Sequence, residues 1–246
     1  MAERSANIEI PLWRCLTAEF IGSAFLAAVV VGSGIAAQHL SPGSTGIELL
    51  ENAAATAAGL FALILMVGPV SGAHLNPVVS LVDAAFGGMS WSSAAAYSVA
   101  QAAGCAVGAV VANLMFAGPA VSISTHHRGN AAHFLSEVVA TMGLIVVIFA
   151  LARTGRSKSA PAAVGAYIGA AYFFTSSTSF ANPAIAVGRM LSNSFAGIAP
   201  SSVPSFVAAE VIGGALAFLV VKLLYPGVTE AEAAEVVVPH HLTPPS

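Results

Sequence analysis

Long apolar runs divided by short polar punctuation dominate the chain, and six of them approach the roughly 20 residues that cross a bilayer core. They run from Leu12 to Ala37, Ala53 to Pro69, Trp91 to Ala117, Ala131 to Ala152, Ala160 to Ser176 and Val203 to Tyr225. Two further apolar stretches, Asn76 to Phe86 and Pro183 to Phe195, are about half that length and suit re-entrant half-helices rather than spans. The order is span, span, half-helix, span, and then the same again. The predicted fold is therefore an all-α membrane protein, with six transmembrane helices and two re-entrant half-helices.

The halves, about 12–117 and 131–225, carry local echoes of one another. Ala18-Glu-Phe-Ile-Gly22 opens the first and Ser136-Glu-Val-Val-Ala140 the second, while Tyr97-Ser-Val-Ala-Gln101 matches Ser205-Phe-Val-Ala-Ala209, followed by Glu210. Three spans per half is an odd number, so the copies must insert with opposite orientation, giving an inverted repeat. The whole chain, 1–246, reads as one membrane channel domain.

Composition supports this picture. Hydrophobic residues make up 57% of the sequence and charged residues 8%, against about 25% charged in soluble domains. A net charge of −3 with no basic cluster gives no reason to expect a nucleic-acid partner. The first apolar run is too long for a cleaved signal, carries Glu19 and lacks a clear small-residue cleavage site. Cys15 and Cys105 fall inside apolar runs, so neither a disulfide framework nor a metal site is expected. Basic residues gather at the N-terminus (Arg4, Arg14), in the loop with Arg153, Arg156 and Lys158, and near Lys222. The positive-inside rule then places both termini in the cytoplasm. Residues 226–246, with Glu230, Glu232 and Glu235, read as a flexible cytoplasmic tail.

The chemistry concentrates at Gly72-Ala-His-Leu-Asn-Pro-Val78 and Ser179-Phe-Ala-Asn-Pro-Ala-Ile185. Asn is a favoured N-cap, and Pro fits the first helical position, so Asn76-Pro77 and Asn182-Pro183 each predict a helix start. With opposite insertion the two starts meet near the membrane midplane. Each carries about +0.5 of an elementary charge. At an effective dielectric of 20, a cation 4 Å from both would meet about 4 kcal/mol. An uncharged solute would meet almost none of it. The amide oxygens of Asn76 and Asn182 cap the helices, leaving their NH2 groups to donate into a lumen.

These residues resemble the aquaporin (major intrinsic protein) family from Leu12 to Tyr225, on Ser71-Gly-Ala-His-Leu-Asn-Pro-Val78, Phe180-Ala-Asn-Pro-Ala184, Ala18-Glu19-Phe20, Gln101 and Glu137. The first motif carries Val78 where the family usually has Ala, a change that should leave the cap intact. The resemblance implies a six-span right-handed bundle, one pore per subunit in a homotetramer, and no cofactor. It also implies that Glu19 and Glu137 brace the half-helix loops, with Gln101 in support; proton relay is the competing reading for the two acids. In most of the family an Arg follows the second Asn-Pro-Ala184, and here the residue is Ile185. By gapless spacing the other filter positions fall at Thr56, Ala170 and Ser179, which predicts a wider, less polar constriction without a fixed cation. In this the chain is similar to bacterial aquaporins associated with arsenic resistance.

Several residues keep two readings. His74 lines the pore or holds its loop. Arg189, two helical turns beyond Asn182 and some 10 Å further out, places charge at the mouth or snorkels to the interface. His126, His127, Arg128 and His133 gate, bind a metal or form a solvated loop. Glu210 is expected to satisfy a buried polar contact, and Asp83 to lie near the cytoplasmic surface. No residue is assigned a catalytic role, and none a metal. Partners are the bilayer, water and small neutral solutes, in a cell (inner) membrane. The functional expectation is a passive channel for water and glycerol-like solutes or undissociated arsenous acid. The alternative is an ion-coupled secondary transporter, which also uses broken helices and inverted repeats.

Overall fold

The structure, a computed structural model, describes residues 10–226. Arg4 and the expected tail lie outside the described residues, apart from Pro226. Eight α-helices follow in order: α1 (Leu12–Leu40), α2 (Thr45–Ser71), α3 (Pro77–Phe86), α4 (Trp91–Met115), α5 (Ala131–Arg153), α6 (Ala160–Phe174), α7 (Pro183–Arg189) and α8 (Val203–Leu224). Among the described residues there is no strand.

Five of these elements are long and apolar enough to cross a membrane: α1, α2, α4, α5 and α8 with the turn before it. The sixth expected span, α6, has only 15 residues, about 22 Å of rise. A 3-10 turn, Ser157–Ser159, runs straight into it through a helical Ala160 and adds about 6 Å. The predicted α2 began eight residues late, because Glu48, Glu51 and Asn52 interrupt the apolar run. Glu48 and Asn52 are in fact buried, and the Asn52 amide donates to Val30 O and to the Ser33 hydroxyl of α1. The second half-helix, expected to reach Phe195, ends at Arg189.

Packing repeats with the sequence. α1 lies chiefly on α4 and α2, and α5 chiefly on α8. Gly104 and Gly108 let α4 sit against the α1 backbone, where a Cβ would strike the Phe20 and Ala24 carbonyls. Gly213 does the same for α8 against Val138 O of α5. Phe20 and Val138 each follow one of the buried glutamates, Glu19 and Glu137, so the two contacts are equivalent. α3 packs between α4 and α8, and α7 contacts α4, α8 and α1. The half-helices are thus enclosed by the long ones. Trp13 and Trp91, at the starts of α1 and α4, are exposed, as suits anchors at a membrane interface.

Candidate pore and selectivity filter

Asn76 and Asn182 cap α3 and α7 from extended backbone, each side-chain oxygen accepting from the helix start: Val78 N for Asn76, Ala184 N and Ile185 N for Asn182. The two caps touch the opposite loops. Asn76 Nδ2 donates to Ala181 O at 2.6 Å, and Asn182 Nδ2 donates to Leu75 O at 2.7 Å. These reciprocal bonds hold the half-helices start to start. They also revise the expectation that the whole NH2 groups face the lumen: each amide has one N–H engaged by the other half, and one left.

The loops leading to the caps carry left-handed backbone at matching places. Ala73 and Leu75, three and one residues before Asn76, have φ 51° and 51°, and Ser179 and Ala181, three and one before Asn182, have φ 48° and 48°. Such conformations cost about 1–3 kcal/mol each outside glycine, and buried carboxylates hold them. Glu19 accepts from His74 N at 2.9 Å, Leu75 N at 2.6 Å, the Ser71 hydroxyl at 2.6 Å and Gln101 Nε2 at 2.7 Å. Glu137 accepts from Phe180 N at 3.0 Å and Ala181 N at 2.7 Å, and Glu210 accepts from Asn182 N at 3.0 Å. These are brace contacts, and every Glu19 oxygen is doubly engaged.

A narrow cavity of about 50 Å³ follows this junction, with room for only a few waters. Its walls show helical spacing: Leu26 and Val30 of α1, Thr56, Leu60 and Ile64 of α2, Leu144 and Ile148 of α5, Val164, Ile168 and Tyr172 of α6. Leu26 and Val30 stand seven and eleven residues after Glu19, and Leu144 and Ile148 stand seven and eleven after Glu137. The repeat therefore extends to the pore walls.

Of the expected filter, Thr56, Ser179 and Ile185 line the cavity, as do His74, Asn76, Asn182 and Arg189. Ala170 does not. It is exposed on the far side of α6, and Tyr172, two residues or about 200° on, faces the cavity with its hydroxyl 3.1 Å from Thr56 Oγ1. On a helix a two-residue offset turns a side chain to the opposite face. A count back from the motif that slips by two residues lands on the wrong face.

A cation nevertheless stands among the residues that line the cavity, Arg189. Arg189 is enclosed, 1% exposed, and its guanidinium carbon lies 3.3 Å from the centre of the Phe180 ring. It neither snorkels nor stands free at the mouth. Phe180 was missed by the sequence reading although a signal existed: it sits two residues before Asn182, as His74 sits two before Asn76, and both line the cavity. His74 contacts the Ser80 hydroxyl through Nδ1 at 3.0 Å, and its Nε2 lies 3.9 Å from Asp83 Oδ2. Asp83, in the last turn of α3, has its side chain buried.

The loop after α4 is largely exposed, His126 and His127 included, but Arg128 ties it to the protein. Arg128 donates from Nε, Nη1 and Nη2 to the carbonyls of Gly197, Ser177 and Phe195. Its burial lowers the guanidinium pKa from the ordinary value, and burial together with Arg128 lowers that of His126. His133 Nδ1 meets Arg128 O, and His127 Nδ1 meets the Ser201 hydroxyl. No group of His, Cys, Asp and Glu placed to hold a metal occurs among the described residues.

The profile of the Major intrinsic protein family matches residues 6–181, most of the chain. The chain belongs to the major intrinsic protein family. It is 45% identical over 216 residues to "Aquaglyceroporin AqpS" of Rhizobium meliloti (strain 1021), covering 88% of this chain and 92% of that protein. It is 31% identical over 243 residues to "Probable aquaporin TIP5-1" of Oryza sativa subsp. japonica, covering 91% and 88%. Among solved structures it resembles the X-ray structure of the aquaglyceroporin from Plasmodium falciparum, with a TM-score of 0.68 at 19% identity, covering 88% of this chain and 98% of that one. The last likeness concerns the fold, which is the aquaporin-like fold that the resemblance of the motifs implied. This major intrinsic protein is thus a multi-pass membrane channel, with a cavity beside the paired Asn-Pro caps.

Proposed function

We propose that this major intrinsic protein is a passive pore for water and uncharged solutes larger than water, such as glycerol or undissociated arsenous acid. It works as a homotetramer in a cell (inner) membrane with both termini in the cytoplasm. The observation that carries the reading is Ile185: the position that usually places a guanidinium directly after the second cap presents an aliphatic side chain to the cavity. Leu26, Val30, Leu60, Ile64, Leu144, Ile148, Val164 and Ile168 give the wall an apolar share beside its polar residues, so a solute with some carbon surface loses less solvation here than in a fully polar neck. The name of AqpS, an aquaglyceroporin of similar length, agrees with this.

Passive flux follows from the same geometry. The facing amides are neutral, and Glu19, Glu137 and Glu210 all accept backbone N–H bonds that brace the loops, which favours a structural role for them over ion coupling. Proteoliposome shrinkage measured by stopped flow tests the proposal. Water, glycerol and arsenous acid should all pass, without saturation and without dependence on a proton gradient. Ile185→Arg should depress solute flux at least tenfold while water continues. Exclusion of both glycerol and arsenous acid by the native protein overturns the reading, and solute flux untouched by Ile185→Arg removes Ile185 from the filter.

A further inference from the structure

Glu210 of α8 is wholly buried, and its two carboxyl oxygens are used unequally. Oε1 accepts from Asn182 N at 3.0 Å, while Oε2 is enclosed without a partner. Glu137 of α5, equally buried, accepts from Phe180 N through Oε1 and from Ala181 N through Oε2. Ala181 and Asn182 are consecutive, so the two carboxyl groups converge on one peptide unit and meet side chain to side chain. Arg189 of α7 and Arg128 of the loop after α4 face them, with Tyr172 of α6 near both arginines. Among the described residues neither arginine comes within ion-pair distance of either acid. α3 meets α8 through the apolar Val78 and Val82. Two touching carboxyl groups in such a place cannot both be ionised.

The repeat shows what a partner in this position does. Gly104 of α4 and Gly213 of α8 make equivalent contacts with α1 and α5, and Gln101 and Glu210 each stand three residues before. Glu210 thus occupies the place of Gln101, one residue beyond the Ala209 that the sequence echo pairs with it. Gln101 Nε2 donates to Glu19 Oε2 at 2.7 Å and to Ser80 Oγ at 3.2 Å. Ser80 stands four residues after Asn76; four after Asn182 stands Ala186, whose methyl group accepts nothing. The second half therefore needs one donor where the first uses two, and a carboxylic acid has one.

We infer that Glu210 carries a proton on Oε2 and donates it to Glu137, positioning the second Asn-Pro cap as a neutral acid in the way a glutamine would. Oε1 holds Asn182 N, and the proton keeps Glu137 turned toward Phe180 N and Ala181 N. Loss of the proton sets two anions against each other behind Asn182, which lines the cavity, and loosens the cap. This holds whichever solute passes.

Infrared spectroscopy of the protein in liposomes reads the proton. The native-minus-Glu210→Gln difference should contain the carbonyl stretch of a protonated carboxylic acid; loss of a carboxylate band in its place overturns the inference. Thermal unfolding gives a second readout. The folded chain keeps a proton that the unfolded chain releases above the ordinary carboxylate range, so native stability should fall relative to Glu210→Gln as pH rises from about 5 to about 8, by up to about tenfold in the folding equilibrium per pH unit. A gap between the two proteins that does not change with pH overturns the inference, and a merely space-filling Glu210 would give that result. Water flux in proteoliposomes gives the third. Glu210→Gln keeps a donor and an acceptor and should stay within about twofold of native, whereas Glu210→Leu leaves Asn182 N bare and should lose flux severalfold. Equal loss in both variants, or native flux in the Leu variant, overturns the positioning role. If the Leu variant fails to insert, the infrared and pH comparisons of native with Glu210→Gln decide alone.

Discussion

Glu19→Gln removes one charge and almost no volume, and the structure sets what that should cost. Each Glu19 oxygen accepts two hydrogen bonds in a site with no solvent exposure. The amide retains one oxygen, which can keep two of the four donors. Its NH2 group then points at the other two, so two buried donors lose their acceptor. At about 1–3 kcal/mol for each such donor, the loss is about 2–6 kcal/mol. For a chain of this size that corresponds to a fall of roughly 4–24 °C in the unfolding midpoint. Glu137→Gln provides the internal comparison. There only two backbone donors are held, one of which the amide keeps, and the new NH2 group arises beside Glu210, whose Oε2 is buried without a partner. The second substitution should therefore be the milder by at least one such donor, about 1–3 kcal/mol. Thermal unfolding of the purified variants in detergent, followed by tryptophan fluorescence, measures both. A Glu19→Gln midpoint within about 2 °C of native, or a Glu137→Gln protein less stable than Glu19→Gln, refutes the brace as argued.

The remaining predictions concern register and packing. Tyr172→Ala should raise glycerol flux severalfold in stopped-flow measurements, while Ala170→Tyr, on the exposed side of α6, should leave it within about twofold of native; the opposite pattern would restore Ala170 to the filter. Gly108→Ala drives a methyl group into the Ala24 carbonyl at the α1–α4 contact and should destabilise by about 1–3 kcal/mol, lowering the detergent unfolding midpoint, with pore selectivity unchanged.

Much of this was legible in the sequence because the governing signals are local. Apolar run length separates spans from half-helices, and an Asn-Pro pair at a run's start encodes a cap without reference to anything distant. The positions of Glu19 and Glu137 could be matched because each sits at the same place in its own half. Tyr172 could not be placed by counting, since a helix converts a two-residue offset into the opposite face. Ile185 removed one expected guanidinium, and nothing in the linear sequence announces that Arg189 turns back over Phe180 to supply another. The α2 start was lost for a related reason: buried Asn52 satisfies carbonyl and hydroxyl groups of α1, so a polar residue that looked like a loop belongs to a helix interface.

The repeat also shows where the two halves part. Asp83 stands seven residues after Asn76, and Arg189 stands seven after Asn182. Each is 1% exposed and each contacts the residue two before its own cap: Asp83 meets His74, and Arg189 meets Phe180. Equivalent positions therefore hold an acid and a guanidinium on partners of different chemistry. Both half-helices direct their positive ends at the centre, so the far end of each is the negative one. Arg189, the last residue of α7, complements that end by about 0.3–1 kcal/mol or more where partly buried, whereas Asp83, in the last turn of α3, brings it no positive charge and is met by an imidazole instead. A backbone with inverted symmetry would present the same field to a solute arriving from either side. Placing a carboxyl group and a guanidinium at matched positions breaks that symmetry without moving a helix, and it leaves the neutral junction of Asn76 and Asn182 between two chemically distinct approaches.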